Sequence, residues 1–311
     1  MDPLADTAEL NVADEFEKLG DKHFAPTPAR TRMTFAALSH VGKVRTNNED
    51  HYAVVRRYRA RDVLFTNLPE DFLRQSRDES YAMVVADGMG GAVFGELASM
   101  LALRTAWDLT TNAINWPFRV NDRESEKILE QLNVYGKKMH EALLERGRAD
   151  PAFAGMGSTF TGVLLIGTDA FIGHIGDSRA YVMRGGCFQR LTRDHTKAQE
   201  FVDAGLFASV AEAPPVMRHM LVNCLGGNGE DVHVETMHLP LVQGDKLLLC
   251  TDGLSDMVAD SQIASILDQY PAPADACLAL VNAALEHGGR DNVTVVLGYV
   301  AVAKPDSSRK P

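Results

Sequence analysis

Three aspartates of this chain lie where a run of apolar residues meets glycine-rich sequence. YAMVVA leads into Asp87, KLLLCT leads into Asp252, and Asp291 follows two glycines and precedes NVTVVLGYV. A carboxylate at the end of a buried strand is held rigidly, and such oxygens suit Mg²⁺ or Mn²⁺. Gly88 lets the backbone turn sharply after Asp87, so that its own carbonyl can face a cation. One Asp-Gly pair is usually only a turn, but three acidic clusters at strand ends favour a metal site.

Two further clusters have residues that suit the same chemistry. The segment SHVGKVRTNNED carries Arg45 four residues before the paired acids Glu49 and Asp50. A guanidinium matches the oxygens of a phosphate group, and the two carboxylates supply more oxygen near a metal. The alternative is a solvated polar loop between two strands. In HIGDSR, Asp177 lies between two strand-like runs, and the alternative there is a simple hairpin turn.

The composition limits the classes of partner. Acidic residues outnumber basic ones by 42 to 31 over 311 residues, which gives a net charge of -11. Nucleic acid and anionic membranes are therefore excluded as expected partners, whereas bound cations could reverse the local field for an anionic phosphate. The four scattered cysteines, the acidic N-terminus and the lack of a long apolar stretch predict a cytoplasmic protein.

The elements that must position these residues are many short strands and a few long helices. Helices are predicted from Phe94 to about Leu109 and from about Ser125 to Leu144, and in the second of these apolar residues recur at steps of three and four. Strands and helices do not alternate one for one, which favours packed sheets with helices outside them. We expect an N-terminal tail at 1–32, one domain at 33–303 and a C-terminal tail at 304–311.

Seven motifs in order resemble the type 2C, or PPM, family of metal-dependent serine/threonine protein phosphatases, in its bacterial form. They are SHVGKVRTNNED, VVADGMGG, GMGSTFTGVLL, HIGDSRAYVMRGG, LTRDHT, LLLCTDGLSD and GGRDNVTVV, and they extend from about Thr34 to Val302. The resemblance implies an α+β fold, a four-layer αββα sandwich of two antiparallel sheets flanked by helices. It also implies a binuclear metal centre in a cleft at one end of the sandwich.

The resemblance assigns the core of that centre by matched position. Asp87 would bridge two cations, Mn²⁺ or Mg²⁺, and the Gly88 carbonyl would bind one of them. Asp252 and Asp291 would complete the other, and Arg45 would bind the phosphate. Of these residues, Arg45, Asp87 and Asp252 are the expected catalytic set.

The outer positions also follow from the resemblance. Glu49 and Asp50 would act mainly through coordinated waters. Asp177 and Asp256, together with one of the core aspartates, match a third and weaker metal position of bacterial-type members. Asn292 is expected to support these ligands without touching a cation.

The function implied is hydrolysis of phosphoserine and phosphothreonine on proteins. Two cations bridged by one carboxylate would generate a hydroxide near neutral pH, placed for in-line attack on phosphorus. The expected partners are phosphorylated proteins made by an opposing serine/threonine kinase, and a monomer is expected. Two alternatives stay open: a non-catalytic regulatory module of the same fold, and a hydrolase of small phosphate esters.

Some segments depart from the family pattern or are uninformative. Eukaryotic members commonly have a histidine, proposed as a general acid, where this chain has Met89. Residues 56–80 are interpreted as an insertion, and 195–226 as the variable flap beside the cleft. Three histidines that invite a general-acid interpretation are assigned structural hydrogen bonds instead: His51, His174 and His195.

Overall fold

The computed structural model describes residues 31–59, 62–68, 78–90, 94–111 and 120–302. The strands in chain order are β1 (Thr31–His40), β2 (Asp50–Arg59), β3 (Asp78–Met89), β4 (Gly157–Ser158), β5 (Phe160–Ile166), β6 (Asp169–Ile175), β7 (Arg179–Arg184), β8 (Cys187–Arg190), β9 (Leu225–Gly226), β10 (Glu235–Pro240), β11 (Lys246–Cys250) and β12 (Val293–Val302). The helices are α1 (Phe94–Thr111), α2 (Asp122–Ala149), α3 (Lys197–Asp203), α4 (Pro215–Arg218), α5 (Asp252–Ser255), α6 (Asp260–Gln269) and α7 (Pro273–Glu286).

The strands form two sheets, and every pairing between described strands is antiparallel. One sheet has the order β1-β12-β11-β7-β8. The other has the order β10-β6-β5-β3-β4-β9, and β2 pairs with β3 on the side away from β5.

Strand β12 shows how the layers are held together, because its alternate residues face opposite sides of the sheet. Val295 and Leu297 belong to a core that includes residues of α6 and α7. Val296 and Val300 belong to a second core, shared with β3, β5 and β6 of the other sheet. Helices α1 and α2 cover the outer face of that other sheet. The predicted αββα sandwich is therefore confirmed.

The two long helices are longer than the sequence pattern predicts. Helix α2 begins at Asp122 because Asn121 and Glu124 form a capping box, in which each side chain accepts a hydrogen bond from the other residue's backbone N–H. It continues to Ala149, past the last apolar residue of the predicted stripe, and α1 continues to Thr111.

The predicted bounds of the 56–80 insertion are wrong. Residues 56–59 complete β2 and residues 78–80 begin β3, and residues 57–59 pair with residues 78–80. Of the residues between the strands, 62–68 are described and are exposed, with Phe65 almost fully so. The two predicted tails lie outside the described residues, apart from Thr31 and Arg32, which begin β1.

The hairpin alternative for Asp177 is also wrong. Strand β6 pairs with β5 and β10, whereas β7 pairs with β11 and β8. The segment from Gly176 to Ser178 therefore crosses from one sheet to the other and brings Asp177 to the edge shared by both. Among the described helices, none is long and apolar enough to cross a membrane.

Candidate metal centre

A cleft of about 670 Å³ opens at the edge where β3 and β11 end and β2 and β12 begin. Nine of the ten residues predicted for the site line it: Arg45, Glu49, Asp87, Gly88, Asp177, Asp252, Asp256, Asp291 and Asn292. The tenth, Asp50, lies directly behind them, opposite Asp87 in the pairing of β2 with β3. The structure therefore brings together carboxylates from five separate parts of the chain.

The structure requires glycine at position 88 for a different reason from the one predicted. Strand β3 continues through it to Met89, and the positive φ of 133° belongs to Gly90. A Cβ atom on Gly88 would collide with the backbone carbonyl of Gly95, and one on Gly95 would collide with the carboxylate of Glu49. The prediction of a sharp turn at Gly88 is thus wrong. The two glycines instead let α1 approach the strand end closely.

Asp87 is fixed at its strand end by the neighbouring strands. Its backbone N–H donates to Thr159 Oγ1 at 2.9 Å, and its carbonyl accepts from the Thr159 N–H at 2.8 Å. Thr159 Oγ1 in turn lies 2.8 Å from Ser178 Oγ, beside Asp177. These contacts hold the loop with Asp177 in a fixed relation to Asp87.

Asp50 is buried and is held from the five-stranded sheet. Thr251 and Thr294 both donate hydrogen bonds to its Oδ2, at 2.8 and 2.7 Å. Its Oδ1 is buried and has no hydrogen-bond partner among the described residues, and the same is true of Asp252 Oδ1. Buried carboxylate oxygens without partners are costly, so both atoms fit a cation or a water bound to one.

Asn292 organises the loop that carries Glu49. Its Oδ1 accepts from the Glu49 backbone N–H at 2.8 Å, while its Nδ2 donates to the carbonyls of Val41 and Asn47. Its backbone N–H donates to Asp291 Oδ1 at 2.8 Å. One buried amide therefore sets the β1–β2 loop against the turn before β12.

Arg45 lies at the mouth of the cleft, where its side chain is about half exposed. Its Nη2 donates to Asp291 Oδ2 at 2.7 Å, and this bond raises the pKa of Arg45. A guanidinium has five N–H donors in a planar fork, so the contact with Asp291 leaves donors for the oxygens of an anionic ligand.

The carboxyl groups of the cleft are packed more closely than their charges favour. Burial first, and then repulsion from neighbouring carboxylates, raise the pKa of Asp50 and of Asp252 to about 7. Burial and then the surrounding aspartates raise the pKa of Asp87 and Asp177 well above the usual range. Divalent cations would relieve this repulsion, and hard oxygen donors are what Mg²⁺ and Mn²⁺ take. The donor set therefore fits the predicted metals.

Among the lining residues with polar side chains, the sequence pattern missed three, namely Thr159, His219 and Arg290. Thr159 and Arg290 lie inside quoted motifs, and Arg290 directly precedes Asp291. His219 follows α4 in the flap, a segment with two prolines and no periodicity, and nothing in the local sequence indicates where its ring points.

The three histidines assigned to structural roles lie outside the residues that line the cleft, and each is hydrogen bonded. His51 Nδ1 contacts Ser99 Oγ, and His195 Nδ1 accepts from the Gly176 N–H. His174 contacts Thr161 Oγ1 through Nδ1 and the Arg193 carbonyl through Nε2. His174, His195 and Glu235 lie close enough together to hold a metal. Both ring nitrogens of His174 are already engaged, however, so a structural role is confirmed.

This fold and this cleft define a class of protein, and the comparison with known families agrees. Residues 67–286 match the family model for Protein phosphatase 2C, which covers more than half of the chain. The chain belongs to the protein phosphatase 2C family, the PPM family of the sequence analysis. The predictions of family and fold are confirmed. The predicted enzyme class is supported by relatives that are named serine/threonine protein phosphatases, and the family is metal-dependent.

Individual relatives are bacterial. The chain is 32% identical over 269 residues to the serine/threonine protein phosphatase PstP of Mycobacterium tuberculosis, covering 86% of this chain but only 45% of that protein. It is 32% identical over 270 residues to the protein phosphatase PhpP of Streptococcus pneumoniae, covering 85% of this chain and 96% of that protein. The solved catalytic domain of PstP in complex with two manganese ions superposes with a TM-score of 0.67, at 30% identity, over 88% of this chain and all of that domain.

Proposed function

We propose that this chain hydrolyses phosphoserine and phosphothreonine side chains of proteins at the cleft. The observation that carries the proposal is the convergence of Asp87, Asp252 and Asp291 from the end of β3, the start of α5 and the turn before β12. Relatives that share the fold are named serine/threonine protein phosphatases. Phosphoproteins made by an opposing serine/threonine kinase are accordingly the proposed partners.

The residues of the cleft would hold two divalent cations, Mn²⁺ or Mg²⁺. Asp87 would contact both, the Gly88 carbonyl one, and Asp252 and Asp291 the other. When bound, the cations would ionise a water near neutral pH for attack on phosphorus, and would offset charge on the phosphoryl oxygens. The number of two cations is supported by a relative, because the solved catalytic domain of PstP is in complex with two manganese ions.

The remaining residues would either position the carboxylates or bind the phosphate group. Asn292 fixes the backbone of Glu49, and Thr251 and Thr294 fix Asp50, so that both carboxylates can reach the cations through water. Arg45 would bind phosphoryl oxygens with the donors that its contact with Asp291 leaves over. Such donors stabilise the charge that develops in the transition state.

The test is hydrolysis of a phosphothreonine peptide by the full chain, with and without Mn²⁺. Asp252→Asn should abolish turnover, because it removes a charged ligand from the cleft. Asp268→Asn, which changes an exposed aspartate of α6, is the matched control and should leave turnover unchanged.

Two results would count against the proposal. Turnover that persists in EDTA would contradict the metal-dependent mechanism. A kcat/KM that is higher for a sugar phosphate than for the phosphopeptide would instead identify a hydrolase of small phosphate esters.

A further inference from the structure

His219 is the one described histidine that lines the cleft. It enters from the flap, immediately after α4, and its Nδ1 lies 3.3 Å from Asp256 Oδ2. One ligand atom each of His219, Asp252 and Asp256 lie within 4.8 Å of one another. An imidazole nitrogen and two carboxylates at this spacing are a donor set for a divalent cation.

The backbone on both sides of His219 is fixed, so its position in the cleft does not depend on its own side chain. On one side, the Arg218 guanidinium anchors the chain, because its Nε and Nη2 donate hydrogen bonds to the carbonyls of Ala213 and Ala211, at 3.0 and 2.6 Å. The Met220 carbonyl accepts from the Lys197 N–H at 2.8 Å, next to a β-bridge between Leu221 and Thr196. The flap is folded so that this ring faces the aspartates.

The three side chains also have free capacity for a cation. Asp252 Oδ1 is buried and has no hydrogen-bond partner among the described residues. The side chains of His219 and Asp256 are 53% and 33% exposed, which leaves room for water to complete a coordination shell. Among the hydrogen bonds and ion pairs described for Asp256, its side chain contacts only His219.

We propose that His219 is a nitrogen ligand of a divalent cation that Asp252 and Asp256 hold with it. The inference rests on the proposed function, because it concerns the weaker cation position beside the two core cations. It adds a flap residue to a position otherwise assigned to aspartates.

The ligand type has a consequence for metal preference. Mg²⁺ takes oxygen ligands and binds reluctantly to nitrogen, whereas imidazole is a common ligand of first-row transition metals. His219 should therefore make this position prefer Mn²⁺ over Mg²⁺. A position built from aspartates and water alone would discriminate much less.

The competing explanation is a simple ion pair, in which the His219 ring only hydrogen bonds to Asp256. His219→Asn separates the two cases, because its amide nitrogen lies near the position of Nδ1. The variant can keep a hydrogen bond to Asp256, but it removes the imidazole ligand. His233→Ala is the matched control, since His233 is an exposed histidine beside the flap and outside the cleft.

The experiment is electron spin-echo envelope modulation of the full chain, stripped with EDTA and reloaded with Mn²⁺. We expect a ¹⁴N coupling to Mn²⁺ in the unmodified chain, which changes to a ¹⁵N pattern when histidine alone is ¹⁵N-labelled. The coupling should be lost in His219→Asn and kept in His233→Ala. In calorimetric titrations, His219→Asn should raise the Kd of the most weakly bound Mn²⁺ by about tenfold or more. The Kd for Mg²⁺ should change much less.

Each contrary outcome has a distinct meaning. If Mn²⁺ binds but the unmodified chain shows no nitrogen coupling, or if His219→Asn retains it, this inference is overturned while the proposed function stands. If the unmodified chain binds no Mn²⁺ at millimolar metal, both fail together.

Discussion

Single residues in the cleft are placed by contacts that reach across the whole fold. Arg45 and Asp291 lie at opposite ends of the sequence, yet they form a 2.7 Å ion pair at the cleft mouth. The pair is largely exposed, so it contributes little to stability. Its value is positional, because it orients a planar cation toward the place where an anionic ligand would bind.

Replacing Arg45 tests that role. Arg45→Ala should lower kcat/KM for a phosphothreonine peptide by about 100-fold, because donors to the phosphoryl oxygens are lost. Arg45→Lys should keep only part of the kcat/KM of the unmodified chain, since an ammonium lacks the planar fork of a guanidinium. Arg104→Ala, which also breaks an exposed pair with an aspartate, is the control and should change kcat/KM little. Equal effects of the Arg45 and Arg104 changes would contradict a role in phosphate binding.

Among the elements, the contact between α1 and the end of β3 does most to shape the site. The helix N-terminus packs against Gly88 and Glu49 without room for a side chain at Gly88 or Gly95. Ser99 of the same helix donates to the Glu49 carbonyl at 2.5 Å. The helix therefore positions both the strand end and the loop that carries Glu49.

Gly88→Ala should destabilise the protein, because its new methyl group meets backbone that cannot move aside locally. Overpacking of this kind costs about 1–3 kcal/mol, and activity should fall as α1 shifts away from the cleft. Gly173→Ala is the matched control in strand β6 of the same sheet, where the nearest atom would be a Leu132 side-chain carbon at 3.8 Å. Urea unfolding of both variants measures the difference. A similar loss in both would contradict a specific close approach at Gly88.

A second effect at the level of elements is the buried histidine of β6. Burial first, and then the nearby His195, lower the pKa of His174 to about 4. An unfolded histidine titrates near 6.5, so below that pH the unfolded chain binds the extra proton and the folded chain does not. Stability from this residue is complete above about 6.5 and is lost as the pH falls toward 4.

The corresponding variant is His174→Gln, which cannot titrate. Its free energy of unfolding should be lower than that of the unmodified chain at pH 7, and the difference should shrink by at most about 1.4 kcal/mol per pH unit on going to pH 4.5. Urea unfolding in EDTA at several pH values measures this. His233→Gln serves as an exposed control. Parallel curves for His174→Gln would show that His174 does not carry the pH dependence.

For the whole molecule, the sequence predicts what depends on short-range pattern. Strands β3, β11 and β12 form from the apolar runs that end at Asp87 and Asp252 and the one that follows Asp291. Each run forms a strand because its apolar side chains are buried in the cores of the sandwich. The αββα layering follows from the resemblance in seven motifs. The site residues could be predicted from the sequence for the same reason, since each lies beside a recognisable strand.

What the sequence could not predict depends on contacts between distant segments. The crossing at Gly176 requires knowing that β6 and β7 join different sheets. The role of Gly88 depends on how closely α1 approaches, and the direction of the His219 ring depends on how the flap folds back over the cleft. None of these leaves a periodic signal in the chain.

Anomalous scattering tests the metal centre most directly. Crystals grown with Mn²⁺ and measured at the manganese edge should show two strong peaks in the cleft, with the carboxylate of Asp87 in contact with both and those of Asp252 and Asp291 in contact with one. An absence of peaks there, or peaks that Asp87 does not reach, would contradict a phosphatase that works through cations held by these aspartates.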